Sequence, residues 1–360
     1  MKGYNIGVIP GDGIGPEVIR EALRVLEAVS EKTGFKLELV HYPYSGEHYL
    51  KTQELVSEKV IDEWRQLDAV LLGAIGHPDV EPGLVERNVI LGLRFGLDLY
   101  INLRPVKLYA EHLCPIKDKK PEDVDMVVVR ENTEGLYSQI GGILKKGTPD
   151  EVALVNGVYT WKGAERAVRY AFEIAAKRAK ARGKRGRKPC VTLVDKSNAI
   201  RPLDLWVRAL EHVAMDFPQI ETDHAYIDAA CMWMIKNPEW FDVVVTPNLF
   251  GDIITDVGAM IQGGMGIAAS GNINPGKTSM FEPIHGSAPK HAGKNRACPL
   301  GAVMAVAMML DYLGEAAAAE EIEKIVGQLL TDGSIPSLDT RSGLTTSRTG
   351  DMVVERLLES

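Results

Sequence analysis

The chain has 360 residues, of which 45% are hydrophobic and 25% charged, and a formal net charge of −8. That balance suits an ordinary globular chain, long enough for two domains or one large α/β unit. It supplies no global basic field to recruit nucleic acid or an anionic membrane surface. The opening stretch from Met1 to Pro10 holds only a short apolar run and reads as a first strand, not a signal peptide. No apolar run is long enough to span a bilayer. Cys114, Cys190, Cys231 and Cys298 are scattered without a Cys-x-x-Cys pair, so free thiols in a reducing cytoplasm are expected.

Strand-like and helical runs alternate from the start. Ile6-Val8-Ile9 is followed by a helix from about Pro16 to Thr33, the strand Lys36–Val40, a helix near Glu54–Arg65 and the strand Ala69–Leu72. This rhythm predicts an α/β fold with parallel strands. A second region starts near Arg104. It holds the strand Met126–Arg130, a helix over Lys162–Arg182, the strand Cys190–Val194, a helix near Leu203–Met215 and a strand from Phe241. After about Val257 the chain is Gly-rich and then forms helices over Leu300–Leu313 and Ala316–Leu330. The predicted layout is discontinuous, with residues 1–104 and 258–360 forming a cofactor-binding domain. Residues 105–257 form a substrate, metal and dimerisation domain. One basic run, Lys177 to Lys188, carries eight Lys or Arg in twelve positions. It has no aromatic to stack a base and follows a helix end that favours cations, so it reads as a solvated helix terminus.

The densest chemistry lies in Phe241-Asp-Val-Val-Val-Thr-Pro-Asn-Leu-Phe-Gly-Asp252-Ile-Ile-Thr-Asp256. A buried β-branched strand breaks at Pro247, and a helix follows on which Asp252 and Asp256, four apart, share one face. Two carboxylates that close repel unless a cation lies between them, and oxygen ligands at this spacing suit Mg²⁺ or Mn²⁺. Taken alone, an Asp-x-x-x-Asp pair is more often an acid-enriched first helical turn. Asp228 is a candidate third carboxylate or a helix cap. Arg94, Arg104 and Arg130 stand near strand or helix ends, and guanidinium forks bind carboxylates bidentately, so their convergence would suit a di- or tricarboxylic acid. Tyr137 and Lys196 are candidate proton carriers, the lysine acting as a base near neutrality only beside other cations. Pro10-Gly-Asp-Gly-Ile-Gly15-Pro16 follows a strand and opens a helix, but its glycine spacing is not that of a dinucleotide fingerprint or a P-loop.

Together, Pro10-Gly-Asp-Gly-Ile-Gly-Pro16, Leu103-Arg-Pro105, Arg130-Glu-Asn-Thr-Glu-Gly-Leu-Tyr137, Asp195-Lys-Ser-Asn198, Asn248-Leu-Phe-Gly-Asp-Ile-Ile-Thr-Asp256 and Glu282-Pro-Ile-His-Gly-Ser-Ala-Pro289 resemble a known family over essentially the whole chain. It is the isocitrate/isopropylmalate family of metal-dependent β-decarboxylating dehydrogenases. The resemblance implies their two-domain α/β fold, a parallel or mixed sheet flanked by helices and not a standard Rossmann fold. It implies oxidative decarboxylation of a 2-hydroxy diacid, with hydride passed to NAD(P) and CO₂ lost from the β-keto acid. Arg94, Arg104 and Arg130 would clamp the substrate carboxylates. Asp252 and Asp256 would be metal ligands for Mg²⁺ or Mn²⁺, with Asp228 and Lys196 reaching in from the neighbouring subunit of a homodimer. Tyr137, aided by Lys196, would return a proton to carbon.

The resemblance is strongest to the isopropylmalate enzymes. Ile90 and Leu91 stand where those place a leucine pair, and an apolar Ile90 would leave the third carboxylate of isocitrate ungripped. Arg87 replaces the glutamate of the commoner type and keeps homoisocitrate and tartrate or D-malate open. In His285-Gly286-Ser287-Ala288-Pro289-Lys290-His291, a lysine stands where NAD-using members have a ribose-binding Asp. That favours NADP over NAD, with Arg296 as a further cation, while Cys298 replaces an adenine-contacting Asn. A catalytically weak regulatory paralogue is the competing class, against which every matched catalytic position is filled.

Overall fold

The computed structural model describes residues 2–183 and 188–360. The chain divides into two compact units, one of residues 2–99, Arg104–Val124 and Ala259–Ser360, the other of Tyr100–Leu103 and Asp125–Gly258.

In the first unit, β1 (Gly3–Gly11), β2 (Lys36–His41) and β3 (Ala69–Ala74) come from the start of the chain. β4 (Ile101–Lys107) is the stretch on which the chain passes from the second unit into the first. β5 (Asp125–Glu131), β6 (Gly135–Leu144), β7 (Val152–Val158), β8 (Cys190–Asp195), β9 (Glu221–Tyr226) and β10 (Val243–Thr246) belong to the second unit. β11 (Ala269–Ile273) and β12 (Ser279–Pro283) return to the first.

The first unit orders its strands β2-β1-β3-β12-β11, parallel except for the antiparallel pair β11–β12. Both faces are buried, and the period-two alternation of the strands sorts their residues between two cores. Ile6, Val8, Ala69 and Leu71 pack on one face with helices Gly15–Thr33 and Leu300–Leu313. Ile9, Val70 and Leu72 pack on the other with Trp64, Val89 and Leu93. The expected helix near Glu54–Arg65 is shorter, Glu58–Trp64, and a separate helix over Gly46–Thr52 precedes it, capped by the Ser45 side chain. Residues 105–124, expected with the middle region, pack in the first unit. There the Leu108 N–H bonds Val124 O at 3.0 Å and the Lys107 N–H bonds Gln262 Oε1 at 3.0 Å.

In the second unit, four parallel strands run β5-β10-β8-β9 under the long helix Trp161–Arg182 and the helix Asp204–Ala214. The apolar runs Met126–Val129, Val191–Val194 and Val243–Val245 bury fully, as strands covered on both faces must. The antiparallel hairpin β6–β7 forms its own small sheet. Of the basic run, residues 184–187 lie outside the described residues. Arg178 and Arg182 turn back to bond Asp125 and the fully buried Asp242, and Lys188 bonds Glu221. No helix among the described residues is long and apolar enough to cross a membrane.

Candidate active site

In the second unit candidate site residues lie at or just beyond the carboxyl ends of all four parallel strands, the edge at which open parallel sheets bind ligands. Arg130 lies on the last turn of β5 opposite Thr246, Lys196 follows β8, Asp228 follows β9, and Asp252 opens the helix Asn248–Ile261 that follows β10.

Arg130 is buried, at 1% exposure. Its Nε and Nη2 donate to Asn248 Oδ1 at 3.0 and 2.8 Å, and its Nη1 donates to Asp252 Oδ1 at 2.5 Å. A Cβ on Gly251 would stand 2.5 Å from Arg130 Cγ, so the glycine is what lets the arginine stem cross the first helical turn. Tyr137 Oη donates to Asp252 Oδ2 at 2.7 Å, and the guanidinium lies 5.5 Å from the Tyr137 ring centroid. Asp252 is thus aimed by an arginine on one oxygen and a phenol on the other. Asp256, one turn on, is exposed.

Lys196 Nζ pairs with Asp228 Oδ1 at 2.6 Å, and this lysine holds the Asp228 carboxyl below the usual aspartate range. Asp228 does not join Asp252 and Asp256 within one chain: among the described residues no three His, Cys, Asp or Glu side chains form a metal-binding group. The Asp252–Asp256 pair fits a hard divalent cation in donor type, with the rest of the coordination shell coming from substrate, water or another chain.

In the first unit, Arg94 Nε donates to Asn272 Oδ1 at 3.1 Å and its Nη2 stands 3.6 Å from Glu282 Oε1. Arg104 is buried on β4. The segment ahead of Arg94 is not one regular helix. Leu84–Glu86 is α-helical, Arg87–Leu91 is a π-helical turn in which the Gly92 N–H bonds Arg87 O, and Gly92–Gly96 is α-helical again. Such wide turns mark functional sites more often than chance. They add a residue to the turn, so spacing from Arg94 counted on a 3.6-residue period goes out of step. Asn88 is turned aside to Val56, whose N–H it accepts at 2.6 Å. Val89 is buried in the core, while Ile90 and Leu91 stay half-buried. Arg87 is exposed, its Nε donating to Gly83 O at 3.0 Å.

Sequence reasoning missed Glu86. Its Oε2 is buried without a partner among the described residues, and a Cβ on Gly76 would lie 3.2 Å from both Glu86 Oε1 and Ser287 Oγ. The only sequence signal is an acid directly preceding Arg87, whose own departure from the family pattern is the more conspicuous feature.

The segment His285–His291 is braced from beneath. Ile14 N–H donates to Ser287 O at 2.9 Å, and a Cβ on Gly13 (φ 61°) would strike that carbonyl at 1.9 Å. The glycines of the Pro10–Pro16 loop therefore serve close backbone packing, and Glu17 accepts the N–H groups of Gly293 and Asn295. Ala288 adopts the left-handed conformation at φ 41°, a strain typical of functional loops.

Beside this loop opens a cavity of about 290 Å³ lined by Ile14, His285, His291, Cys298, Leu338 and Asp339 among others. Burial pushes the His285 imidazole below its usual range, and its buried Nε2 has no partner among the described residues. Burial pushes the Cys298 thiol up to about 12, and Arg341 holds the Asp339 carboxyl down at about 2. An apolar slot with an unpartnered ring nitrogen fits a flat heteroaromatic base. His291 lines it, and both Lys290 and His291 are exposed.

Residues 5–354 match the family model described as isocitrate/isopropylmalate dehydrogenase. The chain is 46% identical over 359 residues to a 3-isopropylmalate dehydrogenase of Thermobifida fusca, covering 98% of each chain. It is 43% identical over 356 residues to that of Corynebacterium glutamicum, covering 98% of this chain and 99% of the relative. Its fold is similar to the crystal structure of isocitrate dehydrogenase from Methylococcus capsulatus, with a TM-score of 0.85, 34% identity and coverage of 98% and 99%. It is also similar to that of a beta-decarboxylating dehydrogenase from Thermococcus kodakarensis, with a TM-score of 0.78, 34% identity and coverage of 99% and 96%. The chain belongs to the isocitrate/isopropylmalate dehydrogenase family, and it is an NAD(P)-dependent oxidoreductase of the decarboxylating type with that family's two-domain α/β fold.

Proposed function

We propose that the protein oxidatively decarboxylates 3-isopropylmalate to 2-oxoisocaproate. The observation that carries the reaction type is Asp252, aimed by Arg130 and Tyr137 and followed one turn later by Asp256. The substrate rests on the half-buried Ile90 and Leu91, which offer an aliphatic group contact surface and no donor to a third carboxylate. The Thermobifida fusca and Corynebacterium glutamicum relatives carry the name of this reaction, whereas the Methylococcus capsulatus structure is an isocitrate dehydrogenase.

Arg94, Arg104 and Arg130 bind and orient the substrate carboxylates, a task for which their planar forks are suited. Asp252 and Asp256, with Asp228 of a second subunit, would hold a Mg²⁺ or Mn²⁺ ion, which would supply positive charge at the substrate hydroxyl, and a bound nicotinamide would supply the hydride acceptor. Lys196, whose ammonium pairs with Asp228 in the free chain, takes the hydroxyl proton only in its neutral form, once that carboxylate is engaged elsewhere, as the C–H hydride leaves. Loss of CO₂ then leaves an electron pair at carbon, and Tyr137 returns a proton there. The proton taken at oxygen is matched by the one given to carbon.

NADP is favoured over NAD because the exposed Lys290 puts a cation on the 285–291 loop where an acid would serve the ribose hydroxyls. A homodimer with shared sites is supported by apolar surface on the second unit. Ile140, Ile143, Leu144, Leu154 and Val155 are exposed on the β6–β7 hairpin, and Met232, Ile235 and Ile253 on two helices.

Initial rates with Mn²⁺ test the reading, crossing 3-isopropylmalate, isocitrate, homoisocitrate, tartrate and D-malate against NAD and NADP. The highest kcat/KM for isopropylmalate upholds it. A tricarboxylate or tartrate in that place overturns the substrate, and turnover of none overturns the enzyme in favour of a regulatory paralogue.

A further inference from the structure

We propose that His224, acting through the buried Asp195, is a positioning residue that sets Lys196 for proton transfer. The inference rests on the role given to Lys196 above. Asp195 ends β8 with 0% exposure. Its Oδ1 accepts from His224 Nε2 at 2.9 Å, from the Ser197 N–H at 3.1 Å and from Ser197 Oγ at 3.2 Å. Its Oδ2 is enclosed and has no donor among the described residues. All the hydrogen bonds described for this buried carboxylate therefore fall on one oxygen, a costly arrangement unless every donor stays in place.

Lys196 lies between the two residues this hydrogen-bond cluster joins. On its far side, the Lys196 carbonyl accepts from the N–H groups of Ala199 and Ile200 at 3.0 and 2.8 Å. The lysine backbone is thus closed in from both directions, and among the described residues the inter-strand side-chain donor in the closure is His224. That histidine stands on β9, paired in register with Leu193, while Tyr226 pairs with Asp195. The Tyr226 ring meets His224 nearly edge-on, with centroids 5.2 Å apart. Two residues further, Asp228 takes the Lys196 ammonium. One histidine therefore ties the strand that carries the lysine to the strand that carries the lysine's partner.

Joining β8 to β9 does not require this device, because the parallel ladder already pairs Cys190 through Asp195 with Glu221 through Tyr226. What the ladder leaves loose is the turn after Asp195, and the Asp195–Ser197 contacts fix that turn. Facing a carboxylate, His224 donates from Nε2. Loss of that proton donor frees Asp195 to rotate, loosens its hold on Ser197, and lets the ammonium drift from its place against Asp228.

The test compares His224→Phe, which keeps the ring volume without a donor, with His224→Gln, which keeps a donor nitrogen. Both are made in the full chain and assayed with Mn²⁺ and the best substrate pair. His224→Phe is expected to lower kcat about 10- to 100-fold with KM within about twofold, and His224→Gln to recover most of it, as for a small misplacement of a reacting group. The double variant Lys196→Gln/His224→Phe is expected to be no slower than Lys196→Gln alone, since the histidine works only through the lysine. The proposal is overturned if His224→Phe keeps its kcat, if glutamine fails to rescue a folded protein, or if the two effects multiply in the double variant. Full activity in Lys196→Gln would overturn the role of Lys196 itself, and this proposal with it. A slow Lys196→Gln beside an unaffected His224→Phe overturns this proposal alone. Should phenylalanine prevent folding, Ser197→Ala removes another donor from the same oxygen and carries the same comparison of kcat with KM.

Discussion

Tyr137 donates its phenolic proton to Asp252 Oδ2 over 2.7 Å, so the proposed proton donor and the proposed metal ligand are one hydrogen-bonded unit. Tyr137→Phe removes the proton and leaves the carboxylate to Arg130. We expect kcat to fall about 10²- to 10⁴-fold, the usual contribution of a positioned acid, with KM little changed. Binding of Mn²⁺, followed by titration calorimetry, should survive, because Asp252 and Asp256 keep their oxygens. Equal loss of metal binding would mean that the phenol holds the helix rather than serves the reaction.

Gly251→Ala places a methyl group 2.5 Å from Arg130 Cγ. The arginine stem must move, and with it the contacts to Asn248 and Asp252. Urea unfolding should show a loss of about 1–3 kcal/mol, the usual cost of overpacking. Activity should fall by more than that loss of stability explains at temperatures where the variant remains folded.

The half-buried His285, whose Nε2 is enclosed, gives a pH dependence of stability. Its folded pKa lies below the unfolded value of 6.5, so the unfolded chain binds the extra proton first as pH falls. Its contribution to stability is present above about pH 6.5 and is lost progressively below it, with a limiting slope of about 1.4 kcal/mol per pH unit for one proton. Urea midpoints measured between about pH 5 and 8 should lose this slope in His285→Gln. An unchanged slope would place the titrating group elsewhere.

Lys290→Asp should reverse the cofactor preference, lowering kcat/KM for NADP and raising it for NAD by about tenfold or more each, because a carboxylate accepts from ribose hydroxyls and repels a 2′-phosphate. The ratio of the two kcat/KM values measures this directly. No change in the ratio would make Lys290 a bystander at the loop surface.

Much of the candidate site is legible in the sequence. Asp252 and Asp256 can be placed on one helix face from a strand, the Pro247 break and a local spacing, whereas Arg130 and Tyr137 stand out only through the family motif, and the structure brings both of them to Asp252. The segment around Arg94 resists for a physical reason. A π-helical turn over Arg87–Leu91 has no composition signature, so neither the wide turn nor the buried Oε2 of Glu86 can be read from the sequence. The hairpin β6–β7 escapes because its exposed apolar residues do not alternate against a core, and β9 because Glu221-Thr-Asp-His-Ala-Tyr226 reads as polar. Residues 105–124 pack with the first unit through contacts far apart in sequence, such as that of Lys107 with Gln262, which leave no local trace.

In the first unit β3 pairs with β12 through Ala69–Leu71 and Ser279–Phe281. During synthesis β3 leaves the ribosome long before its neighbour exists, while every residue of the second unit is made in between. The nascent chain therefore carries an open apolar strand edge through most of its own translation, and the second unit is complete before the first can close. A stall in the later codons would release a molecule with a finished middle and an uncovered β3, the kind of exposed edge that chaperones guard and aggregates recruit.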